Sequence, residues 1–117
     1  MGKLTTHVLD TAKGVPAKGV KVSLYRIGDD GLEPLTTTIT NADGRTDAPL
    51  LIDESCTSGL YQLVFSTAAY FRSTNTPLET IPFLDEIVIR FGISDATKHF
   101  HVPLLVSPYG YSTYRGS

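Results

Sequence analysis

The chain has 117 residues, 41% of them hydrophobic and 19% charged, with a formal net charge of −2, and at 12.7 kDa it can bury about two-thirds of its unfolded surface in one domain, residues 1–117, without staples. Disorder is excluded, and the lone cysteine, Cys56, excludes a disulfide scaffold and leaves a reducing compartment. Scattered Lys and Arg argue against a nucleic-acid partner, and no apolar run approaches the about 18 residues that a membrane span needs, so the expectation is a protein with no membrane partner.

Short apolar runs that alternate with polar residues, separated by Gly, Pro, Asn and Asp, predict an all-β sandwich. The opening Met1 to Thr6 has no apolar signal core. Gly2 with Thr6 fits the loose N-myristoylation pattern, but an ordinary start running into a strand over Leu4–Asp10 is the better reading of so short a pattern. A second strand is marked by Val20, Val22 and Leu24 facing away from Lys21, Ser23 and Tyr25. Gly28 to Gly31 turns the chain into a strand over Glu33–Thr40, whose threonine run suits an exposed sheet. The turn Asn41-Ala42-Asp43-Gly44 closes it, and a weakly marked strand follows near Ala48–Leu51.

Gly59–Ser66 reads as the next strand, with both faces largely buried. Ser66 is placed to cap, through its hydroxyl, the one short helix expected, which runs through Ala68, Ala69, Tyr70 and Phe71. After a loop bracketed by Pro77 and Pro82, Ile87, Ile89 and Phe91 mark another strand. Lys98–Val106 and Tyr109–Arg115 form the last pair, divided at Ser107-Pro108 because proline cannot donate to a central ladder.

Three histidines lead the candidates for chemistry, since imidazole titrates near pH 6.5 and exchanges protons at neutrality without a large shift. His7 falls mid-strand on the face of Thr5 and Leu9, where a hydrogen-bonded structural role is the ordinary expectation. His99 and His101, two apart, share a face. Such a pair can chelate zinc, but a catalytic zinc takes three protein ligands, so His99 is better read as an exposed strand-end residue. Arg45 follows the Asp43-Gly44 turn, where its guanidinium can fork onto a planar, carbonyl-rich ligand or simply pair with Asp43 or Asp47. The aromatic C-terminal segment Tyr109–Ser117 alternates almost to its end, which predicts a docked tail, either in a site or as an edge strand for dimerisation.

Thr6-His7-Val8-Leu9-Asp10, Gly14-Val15-Pro16-Ala17, the turn Thr40 to Arg45, and His101-Val102-Pro103-Leu104-Leu105-Val106-Ser107-Pro108 running to Tyr114-Arg115-Gly116-Ser117 together resemble the 5-hydroxyisourate hydrolases, the transthyretin-related enzymes of urate degradation. The terminal Tyr-Arg-Gly-Ser is the feature that separates these hydrolases from transthyretin, and Ile52–Glu86 matches only in the order of its elements. The resemblance implies a transthyretin-like β-sandwich of two four-stranded sheets, paired edge to edge into dimers and then into a homotetramer with active sites between dimers. It implies hydrolysis of 5-hydroxyisourate to 2-oxo-4-hydroxy-4-carboxy-5-ureidoimidazoline, with no cofactor or metal. Its catalytic residues fall on His7, Arg45 and His101, and its substrate-binding residues on His7, Arg45, Tyr114, Arg115, Gly116 and Ser117. A transthyretin-like carrier of small aromatic ligands is the competing reading, and an adhesive sandwich module a third. A carrier channel should be mostly apolar, whereas this chain offers convergent titratable groups. The terminus is not the Ser-Lys-Leu peroxisomal address, which leaves the cytoplasm as the expected location.

Overall fold

A computed structural model describes residues 1–116, with Ser117 outside them. Nine strands form two sheets: β1 (Lys3–Asp10), β2 (Val15–Pro16), β3 (Lys21–Gly28), β4 (Gly31–Ile39), β5 (Leu51–Ile52), β6 (Gly59–Phe65), β7 (Ile87–Ile93), β8 (His99–Ser107) and β9 (Gly110–Thr113). One sheet runs β2-β1-β8-β9, with the two-residue β5 also on β1, and the other runs β4-β3-β6-β7. Among the described residues the single α-helix, α1, spans Thr67–Ser73, and a 3₁₀ turn at Asp53–Ser55 is a feature the sequence does not announce.

Alternation decides which way each strand faces. In β1 the buried set is Leu4, Thr6, Val8 and Asp10, leaving Lys3, Thr5, His7 and Leu9 on the outer face. Strand β8 buries Phe100, Val102, Leu104 and Val106 and turns His99 and His101 outward. The opposite sheet contributes Leu24, Leu63, Phe65 and Ile87 to the same core, each fully buried side chain worth about 1.5–3 kcal/mol of transfer free energy. The threonine-rich β4 is an exposed edge, as its composition suggests.

Several local expectations are corrected. Ser66 occupies the N-cap position of α1 without a side-chain cap. Its hydroxyl instead points to Glu86 Oε2 at 3.5 Å, and the Asp85 carbonyl serves the buried start of the helix, accepting from Ala68 N–H at 3.0 Å and from the Thr67 hydroxyl at 3.2 Å. The strand expected near Ala48–Leu51 lies at Leu51–Ile52. The last strand stops at Thr113 instead of Arg115. Pro103 explains that stop. It lies within β8 two residues beyond His101, so its nitrogen faces the same neighbour as the His101 carbonyl, and it has no N–H to offer the residue following Thr113. At the other end Gly2 is buried, and a Cβ there would collide with the carbonyls of Ala96 and Lys98.

Candidate functional site

Strands β1 and β8 are the central pair of their sheet, and they run parallel in the register Lys3↔His99, Thr5↔His101, His7↔Pro103. Residues 96 positions apart are thereby set side by side on the outer face, where Thr5 Oγ1 and His101 Nδ1 share a hydrogen bond of 2.8 Å.

The third group arrives on the Asn41–Arg45 turn. The Asn41 side chain accepts from the N–H groups of Asp43 at 2.9 Å and Arg45 at 3.2 Å, folding the turn on itself. The carbonyl of Gly44, at φ +75°, then accepts from Val8 N–H at 2.8 Å. Only glycine fits here, because the left-handed backbone is costly for other residues and a Cβ would strike the Val8 carbonyl. The turn is thus fastened to β1 and brings Arg45 into a β-bridge with His7. His7 Nε2 lies 2.9 Å from the Asp43 carbonyl. A carbonyl can only accept, so Nε2 carries the proton and the lone pair of neutral His7 sits on Nδ1.

Between this turn and the outer face lies a cleft of about 480 Å³, walled among others by Lys3, Thr5, Arg45, Asp47, His99 and His101. His7 is not one of its walls and adjoins it through Arg45. The proton affinity of His101 falls below the ordinary value of 6.5, first because its ring is partly buried, then because the Arg45 and His7 charges oppose an imidazolium. At neutral pH it is the uncharged imidazole, with Nε2 free of any protein partner among the described residues.

The C-terminal segment lies against His101 without itself walling the cleft, and Tyr114 and Arg115 line a separate pocket with Phe100. Gly116 N–H donates to the His101 carbonyl at 2.7 Å, rejoining β8 after the gap opposite Pro103. A Cβ on Gly116 would come within 2.7 Å of His101 Cδ2. Tyr114 is 62% exposed. Arg115 is not brought to the cleft: its guanidinium lies 4.3 Å over the ring of Phe100, on the core-facing side of β8, where the charge meets the π face. Within this chain Arg115 is therefore an anchor of the tail, away from the walls of the cleft. Ser117 lies outside the described residues.

Sequence reasoning gave Thr5 and Lys3 no part in the site and named Asp47 only as an ion-pair partner for Arg45. Thr5 had one available signal, its place on the same face as His7, but its value depends on the pairing with β8. His99 is exposed, as expected for a strand end, and still walls the cleft. Among the described residues no three His, Cys, Asp or Glu side chains gather closely enough to hold a metal ion.

The model of the HIUase/Transthyretin family matches residues 4–116. The chain belongs to this family. A 5-hydroxyisourate hydrolase of Pseudomonas aeruginosa is 55% identical over 117 residues, which cover all of this chain and 93% of that relative. The solved 5-hydroxyisourate hydrolase of Klebsiella pneumoniae superposes with a TM-score of 0.83 at 39% identity, each chain covered completely. An (S)-allantoin synthase structure gives a TM-score of 0.95 at 44% identity over 99% of this chain, which spans 44% of that longer protein. The family's fold, a sandwich of two sheets with one short helix, is the fold seen here. No helix among the described residues is long and apolar enough to cross a membrane.

Proposed function

We propose that this chain is a 5-hydroxyisourate hydrolase, opening the six-membered ring of its substrate to 2-oxo-4-hydroxy-4-carboxy-5-ureidoimidazoline. The observation that carries the reading is that a neutral imidazole, His101, and a guanidinium, Arg45, face one cleft, with His7 bridged to Arg45 from the neighbouring position on β1. The names and full-length identity of the hydrolase relatives support it. A carrier channel would be mostly apolar, and the polar walls of this cleft favour the enzyme.

In this mechanism His101 Nε2 takes a proton from water as the water oxygen bonds to the ring carbonyl carbon. Arg45 holds the carbonyl oxygen and stabilises the negative charge that develops on it. Collapse of the tetrahedral intermediate breaks the ring C–N bond, and the departing nitrogen takes up the proton, leaving a carboxyl group. His7 serves as partner in the proton relay; its Nε2–H is held by Asp43, so His101 is the stronger candidate for base. Tyr114 and Gly116 border the substrate from the tail, with Ser117 beyond them. No metal or cofactor enters these steps.

The full catalytic unit in this reading is a homotetramer of the single 1–117 domain, a dimer of dimers with its sites at the dimer–dimer interface. Strands β7 and β9 end their respective sheets with one ladder side unpaired, which suits edge-to-edge pairing with a second copy. We assign it to the cytoplasm, where Cys56 stays a buried thiol. The test is to generate 5-hydroxyisourate from urate with urate oxidase, add the protein and follow the ultraviolet absorbance of the intermediate. Decay well above the spontaneous rate is expected; an unchanged rate rejects the reading. Light scattering at a mass of four chains checks the assembly, and a monomer would overturn it.

A further inference from the structure

We propose that Thr5 is the positioning residue of the site: its hydroxyl accepts from His101 Nδ1–H and thereby leaves the lone pair on Nε2, the ring nitrogen without a protein partner among the described residues. The inference rests on the proposed hydrolase only for its consequence in turnover.

A neutral imidazole has one N–H and one lone pair, and which nitrogen holds which is set by the partner of the bonded one. The Thr5 hydroxyl is that partner at 2.8 Å. It can give or take a proton, so the direction is decided by what faces the other nitrogen. The groups packed around His101 are Lys3 and His7 from β1, His99 from β8, Arg45 and Asp47 from the turn and the loop after it, and the tail at Gly116. Arg45 walls the same cleft as His101, and its charge opposes protonation of the ring. A positive charge across the cleft favours the lone-pair end of the imidazole dipole toward it and the N–H end away, toward Thr5. The parallel register Thr5↔His101 makes the contact rigid, since both residues lie in the central strands of the sheet. Gly116, with no side chain, lies alongside the ring, where a Cβ would come within 2.7 Å of His101 Cδ2.

The decisive experiment is ¹⁵N–¹H long-range correlation of the histidine rings in the intact protein at neutral pH, with Thr5→Val and Thr5→Ser beside the wild type. Valine keeps the shape and strand preference but has no hydroxyl; serine keeps the hydroxyl. Wild type and Thr5→Ser should show His101 as the Nδ1–H tautomer, and Thr5→Val should move it to Nε2–H. Finding Nε2–H in the wild type, or no change in Thr5→Val, overturns the proposal. On 5-hydroxyisourate, Thr5→Val should lose roughly tenfold or more in kcat, a fraction of the ~10²–10⁴ that a positioned base supplies, with KM within about twofold. Thr5→Ser should restore most of it, and a loss confined to KM counts against the assignment. Because the ring signals need no substrate, a wild type inactive on 5-hydroxyisourate would sink the hydrolase reading while the tautomer still decides the role of Thr5.

Discussion

Gly116 donates its peptide N–H to the carbonyl of His101 across 2.7 Å, and the absence of a side chain on Gly116 is what allows the tail to lie against the imidazole. In Gly116→Ala the new methyl would sit 2.7 Å from His101 Cδ2, too near for any real contact, so either the ring or the tail must move. The contact is remote from the core, so thermal stability should change little. Turnover should fall by at least about tenfold, since misplacing a reacting group by about an ångström costs up to about a hundredfold. Normal kinetics in this variant would show that the tail does not fix the imidazole.

Removing the reacting groups themselves should cost more. His101→Ala and Arg45→Ala are each expected to lower turnover by at least about a hundredfold, the lower end for a positioned acid–base or oxyanion group. Both side chains border the cleft and not the core, so circular dichroism and the unfolding midpoint should stay near wild type. Near-normal rates in either variant remove that residue from the mechanism.

The acid limb of the pH profile follows from the state of His101. Burial and the Arg45 and His7 charges hold its proton affinity below 6.5, so the neutral base persists as pH falls through that value. kcat/KM should therefore stay flat from neutrality to below pH 6.5 and drop only at more acidic pH. Arg45→Ala removes one of the opposing charges, and the midpoint of its residual activity should rise. A wild-type midpoint above 6.5 would contradict the electrostatic picture.

A separate polar contact supports the frame. Asp10, fully buried at the end of β1, accepts from Tyr70 Oη at 2.8 Å and from the N–H groups of Ala12 and Lys13 at 3.0 and 3.1 Å. Tyr70→Phe strands one carboxylate oxygen and should cost about 1–3 kcal/mol of stability in denaturant unfolding. Desolvation, then the hydrogen bond and charge of Asp10, push the Tyr70 phenol up from 10.0 to about 12. Its contribution is fully present below pH 10 and is lost as pH rises toward 12, because the unfolded phenol ionises first. Wild type should thus lose stability over that alkaline interval, and Tyr70→Phe should lack this loss.

Much of the fold is readable along the chain. The alternation in residues 4–10, 20–25, 59–65 and 87–91 marks four strands where they occur, and the two glycines flanking Asp29-Asp30 mark the hairpin between β3 and β4. What escapes is short or held from outside. Strand β2 is two exposed residues on the edge of β1, too brief for any period to register. Ser66 has a capping residue's chemistry, but the Asp85 carbonyl, distant in the chain, reaches Ala68 N–H instead.

The candidate site divides the same way. Residue type and resemblance single out His7, Arg45, His101 and the tail, because imidazole and guanidinium chemistry and a terminal motif are written in the residues themselves. Their mutual placement is not local. His7 meets Arg45 because one hydrogen bond, Val8 to Gly44, fastens a turn to a strand. Thr5 meets His101 because β1 and β8 pair in one parallel register, and a slip of one residue would turn every outward group into the core. The pairing of the tail with β8, His101 opposite Gly116, likewise places Arg115 over Phe100 instead of in the cleft. Alternation and turn chemistry act between near neighbours and can be read from the order of residues, whereas partners 96 positions apart are selected by the packing of the whole sandwich.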